Sequence, residues 1–90
     1  MERLSRSETA LELYMDAARI YAQTLGTMHP VVARVKGRIG GVYQRQKRSR
    51  EALEEFVGAV EILRSKYGDW HKDVGLSMCS VAAVLCETGR

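Results

Sequence analysis

The chain repeats the segment SETALE of residues 7–12 as SREALE at residues 49–54, a shift of 42 residues. We call this shift the repeat shift, and it continues along the chain without a gap. The residue pairs that it matches include Ala17 with Ala59, Ile20 with Ile62, Gly26 with Gly68, His29 with His71, Val32 with Val74 and Val42 with Val84. A fixed period of this length indicates stacked supersecondary units rather than one closed core. Because such units commonly present binding surfaces, the sequence favours recognition over catalysis.

Apolar residues recur at steps of three and four along most of the chain, which predicts amphipathic helices. Gly26 and Gly68 are placed to end helices, and Pro30 suits the first turn of the helix that follows it. The predicted helices span residues 7–25, 31–47, 49–67 and 73–88. We therefore expect an all-α fold of antiparallel helix-pair repeats, in a single domain that takes up residues 1–90.

The second predicted helix contains three glycines, Gly37, Gly40 and Gly41. A glycine in a helix interior costs about 1 kcal/mol relative to alanine. Close packing against a neighbouring helix is the obvious compensation, and we expect it at Gly40, against the third helix.

Small and aromatic residues follow a spacing that is known from one repeat family. Residues 39–43 read I-G-x-x-Y, residues 52–56 read A-x-x-x-F, and residues 10–14 read A-x-x-x-Y. This pattern resembles the tetratricopeptide repeat. The linker at residues 25–30, L-G-T-M-H-P, is similar to the L-G-x-x-H-P linker of the kinesin-light-chain variety. At residues 37–38 the chain has Gly-Arg where that variety carries Asn-Asn.

The resemblance implies a half repeat at residues 7–25, a full repeat at residues 31–67 and a second half repeat at residues 72–88. It also implies an excerpt of a longer solenoid, because residues 87–90 look like the turn before a further helix. In this family, the first helix of each pair lines a concave groove that binds peptides.

Basic residues concentrate in the second predicted helix and the turn after it. Residues 34–50 hold seven arginines and lysines and no acid. In a helix, Arg34, Arg38 and Arg45 share one face, where their guanidinium groups could clamp the carboxylates of an acidic peptide. The candidate peptide-binding residues are Arg34, Gly37, Arg38, Gly41, Gln44 and Arg45, with the glycines leaving room for a ligand backbone. The alternative is an ordinary solvated polar face.

The basic turn at residues 45–50 offers a further option. Lys47, Arg48 and Arg50 could bind a phosphate or another anionic surface, although a charged surface turn between helices is the simpler explanation. No aromatic side chains alternate with these cations, as they do in proteins that bind single-stranded nucleic acid. We therefore expect a protein or peptide partner, and no nucleic acid.

The fourth predicted helix has almost no polar face, because residues 74–86 carry no charge. Such a helix requires neighbours on several sides, and contiguous exposed apolar surface is uncommon on a soluble monomer. We therefore expect a homodimer or a domain-swapped assembly in which Leu76 and Val84 contact another chain. Structural self-assembly without a peptide ligand is the alternative to a peptide-binding function.

His29 and His71 belong to successive linkers, so their spacing predicts a structural role, such as a hydrogen bond to a helix end, rather than a shared metal site. Cys79 and Cys86 are too far apart along one helix to bond to each other. We expect buried thiols at both positions, with a crosslink between two chains as the alternative. Neither a metal nor a cofactor is expected.

No arrangement typical of an enzyme occurs in the sequence. It has no cysteine–histidine or serine–histidine pair with an orienting acid, and no glycine-rich phosphate loop after a strand. The uncharged run at residues 74–86, of 13 residues, is too short to cross a bilayer. The first residues are polar rather than a signal peptide, and two cysteines do not make a disulfide framework. We therefore predict a cytoplasmic interaction scaffold without enzymatic activity.

Overall fold

The structure, a computed structural model, describes residues 6–87. Its helices are α1 (Arg6–Leu25), α2 (Pro30–Arg45), α3 (Ser49–Tyr67) and α4 (Lys72–Glu87). No strand occurs within the described residues, so the predicted all-α class is confirmed. The helix ends observed in the structure lie within two residues of the predicted helix ends. The predicted end of α4 at Thr88 and the turn predicted at its end extend beyond the described residues.

Helix α2 ends at Arg45, two residues earlier than predicted, because the chain turns away in a Schellman motif. The Arg48 N–H donates to the Tyr43 carbonyl oxygen at 2.8 Å, and the Lys47 N–H donates to that of Gln44 at 3.0 Å. Lys47 has a φ of 65°, the left-handed conformation that glycine usually supplies here. The sequence does not indicate this helix end, because Lys47 occupies the left-handed position of the motif, where glycine is usual.

Each helix packs against its neighbours in the chain, in alternating directions. A first core cluster joins the beginnings of α1 and α3 to the later parts of α2 and α4. Its buried members are Leu11, Val35, Ile39, Val42, Tyr43, Ala52, Phe56 and Val84. A second core cluster joins the opposite ends, and its buried members are Val32, Ala33, Ala59, Ile62, Leu63 and Val74. Successive helices are therefore antiparallel.

The loops before α2 and α4 use the same cap. The Nδ1 atom of His29 accepts a hydrogen bond from the Val31 N–H at 3.1 Å. The repeat shift places His71 in the next loop, where its Nδ1 atom accepts a hydrogen bond from the Asp73 N–H at 3.1 Å. Each histidine satisfies a backbone donor in the first turn of the following helix, which has no partner inside the helix. The predicted structural role of the two histidines is confirmed.

The same two loops begin with a glycine in the left-handed region, with φ of 98° at Gly26 and 87° at Gly68. In the second loop the ring of Tyr67 stacks on His71, with 4.2 Å between ring centroids. Trp70 follows in this loop, and 99% of its surface is exposed. The only tryptophan of the chain therefore lies outside both core clusters.

The histidine caps make a stability prediction. We expect His29→Ala and His71→Ala each to lower the free energy of unfolding by about 1 kcal/mol, the usual contribution of a side-chain N-cap. Asparagine is the matched control, because its side-chain oxygen can accept the same hydrogen bond. Urea unfolding followed by circular dichroism measures the difference. Alanine and asparagine variants of equal stability would contradict the capping role.

Gly40 is the closest point between α2 and α3. A Cβ atom built on Gly40 would lie 2.7 Å from Cε1 and 2.9 Å from Cδ1 of Phe56. Real side chains essentially never approach so closely, so only glycine fits here without displacing the ring. The predicted packing of Gly40 against the third helix is confirmed.

Overpacking at this contact is testable with a control in the same helix. We expect Gly40→Leu to lower the free energy of unfolding by about 1–3 kcal/mol, because the new side chain must displace Phe56. A Cβ built on Gly37 meets nothing within 4 Å. We therefore expect Gly37→Ala to raise stability by about 1 kcal/mol through helix propensity alone. Thermal unfolding of both variants distinguishes the effect of packing from that of helix propensity. Melting temperatures that shift in the same direction in both variants would contradict the close packing of Gly40 on Phe56.

Candidate functional site

An open groove lies between α2 and α4, with α3 beneath it. Two adjoining hollows of about 260 and 270 Å³ form its central part. Both are lined by Arg34 and Gly37 of α2 and by Leu76 and Ser77 of α4. The α3 side chains that reach the hollows are Phe56, Ala59, Leu63 and Tyr67. We call this surface the α2–α4 groove.

The dimensions of the groove favour part of a chain over a whole small molecule. Small-molecule sites commonly enclose about 300–1,000 Å³ and surround most of their ligand. The two central hollows are joined side by side into a trough that is open to solvent and would not surround a ligand. Such a shape suits successive side chains of an extended segment.

A third hollow, of about 440 Å³, lies toward the end of α2. It is lined by Gly41, Gln44 and Arg45, together with Lys47 and Glu87. The Nε2 atom of Gln44 donates to Oε2 of Glu87 at 3.2 Å, which connects α2 directly to α4. This contact shows that the two helices lie side by side, although they are separated in the chain by α3.

The structure places all six candidate peptide-binding residues on the groove side of α2. Arg34, Gly37 and Arg38 line the central hollows, and the other three line the third hollow. The three arginines are exposed, whereas the remaining members are half-buried. Helical spacing predicts that these residues share one face of α2. The structure adds that α4 forms the opposite wall of the groove.

The two walls of the groove differ in charge. Within residues 6–87, no carboxylate lies within 4.0 Å of the guanidinium nitrogens of Arg34, Arg38 or Arg45. The α4 wall places an acid near each end, Asp73 and Glu87. Between these acids it presents mainly hydroxyl and apolar side chains, namely Leu76, Ser77 and Ser80. The α2 wall is therefore basic, and the α4 wall is mixed.

Two of the groove residues are glycines without a packing role. A Cβ atom built on Gly37 or Gly41 meets nothing within 4 Å, in contrast to one built on Gly40. Each of these open glycines weakens α2 by about 1 kcal/mol relative to alanine. The helix gains no close contact in return, so the glycines leave free space along the groove side of α2.

The basic turn after α2 is partly occupied by contacts within the chain. The Arg48 guanidinium lies 4.7 Å from the centre of the Tyr43 ring. Its Nε and Nη2 atoms donate to Oε2 of Glu51 at 3.3 and 3.2 Å. A hydrogen bond from its own backbone N–H, reinforced by Arg48, holds the pKa of Glu51 below its usual value. Arg48 therefore stabilises the turn although it is itself exposed, and Lys47 and Arg50 are further exposed cations beside it.

The α4 wall was not identified as part of the groove from the sequence. Leu76 was instead predicted to contact another chain, and the structure shows it 66% exposed beside Arg34 in the groove lining. The repeat shift could have indicated the α4 wall, because it matches Leu76 with Arg34 and Ser80 with Arg38. Equivalent positions of α2 and α4 thus face the same groove.

Val84 requires a correction. It was expected to contact another chain, but it is only 1% exposed and belongs to the first core cluster. Of the residues in α4, only Val74 and Val84 are buried. Val84 therefore packs inside the folded chain and cannot contact a second copy without unfolding.

The cysteines also differ from expectation. Cys79 and Cys86 are both exposed free thiols, so the prediction that they are buried is wrong. An apolar helix does not specify by its sequence which side faces the core. In α4 the core side is set by Val74 and Val84, and both thiols lie on the remaining surface.

Neither a cluster of metal-ligating side chains nor a membrane-spanning helix occurs in the described part of the chain. Within the described part of the chain, no group of three or more His, Cys, Asp or Glu side chains could hold a metal ion. Both histidines use Nδ1 to cap helices. None of the helices described between residues 6 and 87 is long and apolar enough to cross a bilayer.

Comparisons with known proteins do not assign a family. No protein-family model matches the chain, and no curated protein matches it significantly. The resemblance to tetratricopeptide repeats therefore stays a prediction from the spacing of the residues.

Proposed function

We propose that the protein is an interaction module of the tetratricopeptide-repeat kind, and that its α2–α4 groove binds an acidic peptide segment. The proposal rests on one observation above all. Arg34, Arg38 and Arg45 form an exposed basic wall, and no carboxylate within residues 6–87 pairs with them. Guanidinium groups bind carboxylates in a planar fork. A ligand that brings carboxylates into the groove would supply the missing partners.

The spacing of the arginines suggests the form of this ligand. Arg34 and Arg38 differ by four positions, which is about 6 Å along a helix axis. Side chains on one side of an extended peptide recur about every 6.6 Å. Acidic residues at alternate positions of an extended segment therefore match these two arginines. The side chain between the acids faces the opposite wall, where an apolar group fits beside Leu76.

The open glycines support the same interpretation. Gly37 lies between Arg34 and Arg38 in the chain and lines both central hollows. Because no packing contact requires it, its missing side chain serves a ligand backbone that passes between the two guanidinium groups. A large side chain at this position would fill that space without disturbing the core.

Peptide binding tests the proposal. We expect a labelled peptide with alternating acidic residues around an apolar anchor to bind, and its lysine-substituted counterpart not to bind, in fluorescence anisotropy. Reversing Arg34, Arg38 and Arg45 together to glutamate should weaken binding by about 100-fold, at roughly 1 kcal/mol for each exposed charge pair. The affinity of the unmodified chain should also fall with added salt.

A matched triple variant controls for net charge. Arg19, Arg50 and Lys66 are exposed and lie away from the central hollows. Their reversal to glutamate changes the net charge equally, and we expect it to have little effect. Gly37→Leu should weaken binding while leaving the fold intact. Equal losses in the two triple variants would reject the groove in favour of general charge attraction.

Structural self-assembly is the second candidate function. It is favoured by the exposed apolar side chains of α4, namely Leu76, Met78 and Leu85. An anionic-surface function for the basic turn has less support, because Arg48 is already held by Tyr43 and Glu51. We further propose that the module acts without catalysis and in the cytoplasm, where its two free thiols would stay reduced.

A further inference from the structure

The outer faces of α1 and α4 both expose apolar side chains. On α1, Leu13 is 64% exposed and Ile20 is 56% exposed. On α4, Met78 is 44% exposed, and the small residues Gly75 and Ala82 are also exposed. These two surfaces belong to the first and last helices of the row α1–α2–α3–α4.

The contact between α2 and α3 provides a template for the α4 surface. At this contact Gly40 meets the ring of Phe56, and Lys36 crosses Gly58 to reach Glu55. The repeat shift matches Gly40 with Ala82 and Lys36 with Met78. The positions that α3 covers on α2 are therefore small or apolar on α4, where they are exposed. The α4 surface therefore resembles the surface of α2 on which α3 packs.

Helix α1 is the counterpart of α3. The repeat shift matches the α2-facing residues of α3 with residues of α1 that have the same character. These pairs are Ala52 with Ala10, Phe56 with Tyr14, Ala59 with Ala17 and Ile62 with Ile20. Ile62 is buried, whereas Ile20 is exposed. Ala10, Tyr14 and Ala17 are half-buried, and Tyr14 and Ala17 pack against the first core cluster of their own chain. The surface that α3 uses to bind α2 is thus present on α1, where Ile20 is exposed and the other three positions are partly exposed.

An ion pair between α2 and α3 is replaced by two apolar residues at the matching positions of α4 and α1. The Nζ atom of Lys36 lies 3.7 Å from Oε1 of Glu55, which forms an ion pair across the contact between α2 and α3. The repeat shift replaces Lys36 by Met78 and Glu55 by Leu13. Both charges are lost together, so an apolar pair replaces an ion pair. A charge on only one of the two surfaces would have been left without a partner.

We propose that α1 of a second copy packs on α4 in the way that α3 packs on α2, so that copies of the chain associate head to tail. Leu13 of the second copy then meets Met78, and Tyr14 lies over Ala82. The ring of Tyr14 sits slightly farther out than that of Phe56, because Ala82 carries a methyl group that Gly40 lacks. Asp16, which the repeat shift matches with Gly58 at this contact, forms an exposed ion pair with Arg19 at 3.1 Å.

The proposed contact is heterologous, because it joins two different surfaces. Each added copy covers one α4 face and exposes another, so the assembly does not close as a two-fold dimer does. It also places α2 of the second copy beside α4 of the first, which continues the α2–α4 groove from one chain to the next. The association does not require a bound peptide, since neither surface includes Arg34 or Arg38.

Sedimentation of the full chain over a range of concentrations is the first test. We expect the average mass to rise beyond that of a dimer, and a monomer at every concentration would overturn the proposal. In one variant, Leu13→Glu with Ile20→Glu blocks the α1 surface. In a second variant, Met78→Glu with Ala82→Glu blocks the α4 surface. Each should remain monomeric, because assembly would bury an unpaired charge.

Mixing the two blocked variants distinguishes the head-to-tail arrangement from any symmetric one. Each retains one intact surface, so the mixture should form a one-to-one dimer and nothing larger. If the variant with the blocked α1 surface dimerises alone, α4 pairs with α4, and the proposal is wrong. Circular dichroism and melting confirm that the variants fold.

A charge rescue adds a test that does not depend on loss of assembly. Leu13→Glu and Met78→Lys should each weaken association by about 10-fold or more. The two substitutions in one chain should restore it, because they recreate the ion pair that Lys36 and Glu55 form. The restored assembly should weaken with salt, unlike that of the unmodified chain. A double variant no better than the single ones would show that Leu13 and Met78 do not meet.

Discussion

The approach of the α2 backbone to the ring of Phe56 determines how the other helices can lie. Gly40 allows this approach, because a methyl group at that position would overlap the ring. Ile39 and Val42, beside Gly40 in the chain, reach the same first core cluster. Close packing of α2 on α3 then allows α4, which also packs on α3, to lie beside α2. The groove between α2 and α4 is a consequence of this arrangement, and its lining includes the same Phe56.

The composition of α2 reflects two opposing requirements. Its apolar side must pack closely on α3, and one glycine serves that purpose. The other two glycines reduce the helix propensity of α2 without a contact in return. A helix under selection for stability alone would carry alanine at Gly37 and Gly41. Their presence beside three arginines is explained if the groove side of α2 is shaped for a ligand rather than for the fold.

Much of the fold could be predicted from the sequence, because the repeat shift supplies two observations for each structural position. The glycines and histidines of both loops were recognised in this way, and Gly40 was recognised from its place in the I-G-x-x-Y pattern. The arginine face of α2 followed from helical spacing. The sequence was least informative for α4, where apolar residues surround the helix and the period identifies no core side. Val84 and the two cysteines were misplaced for that reason, and the α4 wall of the groove was missed. The end of α2 was misjudged because Lys47 adopts the left-handed conformation, which is typical of glycine and is not expected for a lysine.

The exposed Trp70 has a consequence for how this protein can be observed. The indole is almost fully surrounded by water in the folded chain, as it would be in the unfolded one. Its emission will therefore change little on unfolding, and a fluorescence melting curve would miss the transition that circular dichroism detects. The same property makes the indole a reporter of events outside the fold. A blue shift of its emission would indicate that another molecule has covered the loop between α3 and α4, without any added label.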